Sequence, residues 1–188
     1  MSGQRYTLPA IVLHWAQAIV VIWLLWLGWT MVDLPKGAER SAAYSLHKSL
    51  GLLALLLIFA RLAWRRGHTA PKPLVTGWEA KLATAVHHAL YALLFMAPLA
   101  GFLASSFTPY AIKFFGIELP KMGWPDETLN GAFKLGHVVF VWGLAGLIGL
   151  HIAGALKHLF KRDGTLQRML PGGLFKNGTA APQRSKML

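Results

Sequence analysis

Eight histidines and no cysteine set the chemistry available to this 188-residue chain. Without thiolates there are no disulfides, no iron–sulfur clusters and no C-x-x-C-H haem attachment, so a metal must rest on His, Met or oxygen. His68 alone falls in a connecting loop, whereas His14, His47, His87, His88, His137, His151 and His158 fall in or at the ends of long apolar runs. Two imidazoles facing each other between packed helices give the ligation of a six-coordinate, electron-transferring haem, with no open position for oxygen.

Spacing sorts these histidines. His137 and His151 stand fourteen residues apart, which is roughly 40° short of four helical turns and about 21 Å along the axis. One helix can therefore supply a ligand to each of two stacked sites. His47 and His137 both open spans at the outer face and form an outer pair, while His14 and His151 form an inner pair near the opposite face. His87, His88 and His158 lie close in depth to the inner pair, and one of them could replace His14. Their other use is hydrogen bonding and proton exchange with a quinone, since histidine titrates near neutrality. A single buried histidine is as well explained by a hydrogen bond across helices, but four at matched depths are not. Proton or metal transport usually adds carboxylates to relay charge, and no Asp or Glu lies inside any span.

The elements that carry these residues are membrane helices. With 55% hydrophobic and 14% charged residues and a mean hydropathy of +0.46, most of the chain has lipid for its solvent. Spans are expected within Ile11 to Val32, from about Leu46 to Trp64, from about Ala83 to Ser105 with a kink near Pro98, and within Leu135 to Leu156. The glycines of the last span mark it as the expected centre of the bundle. The first run is too long for a signal peptide and lacks a small-residue cleavage site, so it is read as a retained helix. The net charge of +12 sits at helix ends, which argues against a nucleic-acid surface. Lys and Arg gather at Arg5, between Arg61 and Lys81, and after the fourth span, which places both termini in the cytoplasm. The long third connection, Phe107 to Lys134, carries Phe114, Phe115 and Trp124 and suits a folded cap. Residues 1–171 read as one four-helix transmembrane domain and 172–188 as a flexible cytoplasmic tail.

The chain also resembles the bacterial cytochrome b561 family and, more loosely, the cytochrome b subunits of nickel hydrogenases, over about residues 6 to 171. The resemblance rests on His14-Trp15, His47-Lys48-Ser49-Leu50-Gly51, Arg61-Leu62, Trp64-Arg65, His87 before Tyr91 and Pro98, and His137, His151 and His158 followed by Asp163, Thr165-Leu166, Arg168-Met169 and Pro171. The doubled His87-His88 and the residues after Pro171 depart from the family pattern. The resemblance implies two non-covalent b-type haems, ligated by His14 with His151 and by His47 with His137, in a multi-pass protein of the bacterial inner membrane. It further implies electron transfer between a periplasmic-side donor and the quinone pool, with superoxide as donor and ubiquinone as acceptor in one member type.

In that reading Lys48 and Lys134 steer superoxide to the outer site, Arg61 meets a haem propionate, and His87 and His158 serve the quinone. Membrane lipid, quinone, and superoxide or a periplasmic redox protein are the expected partners; pairing of two copies stays open and nucleic acid is not expected. The protein is then an oxidoreductase of the superoxide:quinone type or an electron-transfer cytochrome. The alternatives are a haem-bearing anchor subunit that takes electrons from a separate dehydrogenase or hydrogenase, and a haem-free, His-lined transporter.

Overall fold

The computed structural model describes residues 5–72 and 74–170; the expected flexible tail lies outside the described residues. Four helices fill it: α1 (Leu8–Thr30), α2 (Ala38–Gly67), α3 (Gly77–Ser106) and α4 (Glu127–Lys161). All four are long and apolar enough to cross a membrane. The 30 residues of α2 and 35 of α4 reach about 45 and 52 Å, beyond a hydrocarbon core of about 30 Å. The ends therefore stand in the interface, where Arg65 and Arg66 close α2.

Local signals explain the boundaries. Pro9 occupies the first turn of α1, where its missing N–H is not needed. α3 is continuous through Pro98. Asp126 caps α4 by accepting a hydrogen bond from the Leu129 amide at 2.9 Å. Arg162, in the left-handed conformation with φ 53°, ends α4.

The helices pack in series, α1 on α2, α2 on α3 and α3 on α4, while α4 approaches the backbones of α1 and α2 at few points. This corrects the expectation that α4 is the centre of the bundle. Leu144 is its one buried residue, whereas α3 buries Leu94, Ala97, Ala100, Ala104, Ser105 and Ser106. The small side chains that allow close packing lie on α3; positions 146, 149 and 154 of α4 have no neighbour within 4 Å of where a Cβ would stand. The core is one layer with a residue from each helix, Val21, Ile58, Leu94 and Leu144, flanked by Leu25, Leu55, Leu90 and Leu93. Leu144 lies seven residues from both His137 and His151, so this layer separates the two histidine levels.

Each end of the bundle is closed differently. At one end the third connection folds into an antiparallel hairpin, β1 (Ile112–Phe114) and β2 (Ile117–Leu119), around Phe115 and Gly116, both with positive φ. Ile112 is fully buried there. The Ser49 hydroxyl, on α2, accepts from the Phe115 amide at 3.0 Å and lies 3.2 Å from the Lys113 carbonyl. The expected cap is thus a hairpin pinned beside His47. At the other end, the chain after α4 turns back through a short helical turn, Leu166–Met169. Trp15 Nε1 donates to the Met169 carbonyl at 2.8 Å, Arg5 to Gln167 at 3.2 Å, and Arg168 to Lys72 at 2.6 Å. These bonds tie the end of α4 to α1 and to the α2–α3 connection. We refer to the two ends as the hairpin end and the terminal end.

Candidate functional site

Three of the helices, α1, α2 and α4, bring four histidines into two facing pairs. At the hairpin end the rings of His47 on α2 and His137 on α4 stand 6.1 Å apart, centre to centre, at 87°. At the terminal end His14 on α1 and His151 on α4 stand 6.2 Å apart at 67°. Two imidazoles sharing one metal ion, each nitrogen about 2.0–2.1 Å from the metal and about 1.1 Å from its ring centre, have centres about 6.3 Å apart. Both pairs fit that requirement. They also bridge the interval where α4 stands off from α1 and α2, which suits a flat group held between helices. No cluster of three or more metal-ligating side chains occurs among the described residues, so two-coordinate protein ligation is the arrangement on offer.

The hairpin-end pair is held by shape. His137 Nδ1 donates to the Ala97 carbonyl at 2.8 Å, which leaves Nε2 with its lone pair for a metal. A Cβ on Gly101 would stand 3.0 Å from that same Nδ1, and one on Gly28 would stand 3.1 Å from His47 Cε1. At either position a side chain would press the ring aside by a few tenths of an ångström. Gly28 escaped the sequence reading; a glycine in an otherwise bulky apolar helix, at the depth of a histidine, is the signal that marks it. His47 Nδ1 is buried with no protein partner among the described residues. Lys48 is half-buried next to this site and Lys134 is exposed one turn before His137 on α4.

The terminal-end pair has polar company. His87 points its ring at His151 with centres 5.3 Å apart, which is short of the separation that a shared metal needs; His14 remains the better partner. His88 borders a shallow surface groove with Lys81 and Thr84, so of the doubled histidines His87 is the one at the site. Arg61 reaches His14 Nδ1 and the Tyr91 hydroxyl, each at 3.4 Å. Arg61 and Arg65 both lie over the Tyr91 ring, at 5.0 and 5.6 Å. Together with Arg5, Thr7 and Trp64 they line a small, partly open pocket of about 80 Å³ whose lining holds no carboxylate. His158 does not lean on another histidine; its Nδ1 meets the Asp163 carboxylate.

Comparison with known proteins bears on this geometry. The sequence model described as prokaryotic cytochrome b561 matches residues 5–172. The chain belongs to the prokaryotic cytochrome b561 family. It is 33% identical over 177 residues to cytochrome b561 homolog 2 of Escherichia coli K12, covering 90% of this chain and 93% of that protein. It is 28% identical over 180 residues to cytochrome b561 homolog 1 of the same organism, covering 89% and 97%. It is also similar to the probable superoxide oxidase CybB of Yersinia pestis, 26% identical over 178 residues and covering 89% and 97%. As a cytochrome b561 the protein is a multi-pass membrane haem protein of electron transfer, and its haem is of the b type.

Proposed function

We propose that this cytochrome b561 carries two b-type haems, one at His47 and His137 and one at His14 and His151, and moves electrons from a donor at the hairpin end to ubiquinone at the terminal end. The observation that carries the reading is the pair of ring separations, 6.1 and 6.2 Å, at two levels of one bundle. The Lys and Arg excess at the terminal end supports a cytoplasmic terminal end and a periplasmic hairpin in a bacterial inner membrane.

Bound haem supplies reversible one-electron transfer; the rest falls to the chain's own residues. His137 is oriented by Ala97 and both rings of its pair are given room by glycine. Arg61, now donating to His14 Nδ1, would on turning to a haem carboxylate leave that nitrogen free to carry the ring proton and Nε2 free to ligate. Lys48 and Lys134, without carboxylate partners among the described residues, would draw a small anion to the hairpin end. Superoxide is the donor that the similarity to a probable superoxide oxidase supports. His87 and His158 face the quinone side and supply hydrogen bonds and protons there.

The test is a reduced-minus-oxidised spectrum with a haem-to-protein ratio for the parent, His137→Ala and His151→Ala. Two low-spin haems in the parent and one in each variant are expected. A single haem that survives both substitutions would sink the assignment, and a colourless protein with haem supplied would restore the His-lined transporter. Superoxide-driven quinone reduction by the protein alone separates superoxide from a docked redox partner as donor.

A further inference from the structure

We propose that Asp163 is a positioning residue for proton transfer at the terminal end, fixing His158 with Nδ1 protonated and Nε2 presented to the quinone. The proposal rests on the reading of His158 as a quinone-side residue.

The geometry is built in the turn that follows α4. Left-handed Arg162 and Gly164, with φ of 53° and 84°, reverse the chain so that Asp163 folds back over the last turn, where His158 stands. One carboxylate oxygen of Asp163 accepts the Thr165 amide at 2.9 Å, and the other meets His158 Nδ1. The carboxylate is therefore oriented by its own turn. The turn in turn is anchored through Trp15 to the Met169 carbonyl and through Arg168 to the Lys72 carbonyl.

Exposure runs in the useful direction, 16% for the His158 side chain and 30% for Asp163, so the dyad reaches from the bundle to water. Glu79 of α3 lies within electrostatic reach of His158 but is occupied by Lys157 at 2.9 Å and Lys161 at 3.9 Å. Slight burial pushes the Asp163 carboxyl up, but the bonds from His158 and Thr165 outweigh it and bring it down to about 2. Asp163 is thus a carboxylate wherever the protein works.

Reduction of a quinone to a quinol takes two electrons, delivered singly by reduced b-type haem, and two protons. At the oxygen facing His158 an O–H bond forms as the Nε2–H bond breaks, and the imidazole is left neutral with its Nδ1–H on Asp163. The other proton comes from water, and His158 regains its own from water after the quinol leaves. The carboxylate, itself held by the Thr165 amide, keeps the Nδ1 end of the ring in place, so the Nε2 end stays turned to the quinone oxygen.

The experiment follows re-oxidation of the pre-reduced holoprotein by a short-chain ubiquinone analogue over a series of quinone concentrations, so that kcat and KM are read separately. Asp163→Asn is expected to lower kcat about tenfold with KM little changed, and Asp163→Glu to restore it. Asp163→Ser keeps a side-chain acceptor for the Thr165 amide without the carboxylate, and gives the same fall in kcat if Asn disturbs folding. His158→Ala is expected to be slow at every quinone concentration. A normal rate in His158→Ala would overturn the quinone-side reading itself. A slow His158→Ala beside Asp163 variants whose profiles superimpose on the parent would overturn the role of Asp163 and leave that reading intact.

Discussion

The two histidine pairs have almost the same separation and very different surroundings. The hairpin-end pair is set by steric fit, with two glycines, a backbone carbonyl on His137 and a hairpin pinned over it by Ser49. The terminal-end pair stands among Arg61, Tyr91 and His87, beside a cationic pocket and under the segment that follows α4, 163–170, a strap held by hydrogen bonds to Arg5, Trp15 and Lys72. Ligation alone asks for the first kind of setting, in which few groups can change charge. Chemistry that couples electrons to protons asks for the second. The difference matches the proposed division of labour between an electron-accepting end and a quinone end.

The contrast should break most sharply at Gly101. Gly101→Ala places a methyl 3.0 Å from His137 Nδ1, and overpacking of this kind costs about 1–3 kcal/mol. Redox titration should then show one haem shifted or lost and the other unchanged; equal shifts in both would refute the independence of the two ends. Ser49→Ala ranks next. It removes the acceptor for the Phe115 amide and the contact with Lys113, at about 1 kcal/mol for each hydrogen bond. Faster amide hydrogen exchange confined to residues 112–119 is the expected result.

The smallest effect is acid release of the strap. The Asp163 carboxyl lies at about 2 against an ordinary 3.8, so its bonds are at full strength above the ordinary value and are lost as pH falls through the lowered one. Proteolysis near residues 163–170 should therefore be flat from neutrality to about pH 4 and rise below it. A rise beginning near neutrality would show that another group holds the strap.

Much of this was legible in the sequence because helices obey one period. The fourteen-residue spacing of His137 and His151 placed them on one face, and alternation of helix direction matched them with His47 and His14 in depth. The standing of α4 was misread for a physical reason: glycine can admit a neighbouring helix or leave open space, and its letter is the same in both cases. The strap was invisible because its acceptors are the carbonyls of Gln167, Arg168 and Met169, which every residue carries. Asp163 belongs to the motif that closes the family resemblance, but only the left-handed turn at Arg162 brings it onto His158. The hairpin was expected as a folded cap, while its strands are too short, at three residues each, to leave a period of two.

One feature of α4 reaches both pairs together. Between His137 and His151 the helix is unbroken and free of proline, so it acts as a ruler that spaces the two levels by about 21 Å. Adding or deleting one residue in that interval would swing one ligand by about 100° and displace it by about 1.5 Å relative to the other. The thirteen positions between these two ligands can vary only in what they are and never in how many.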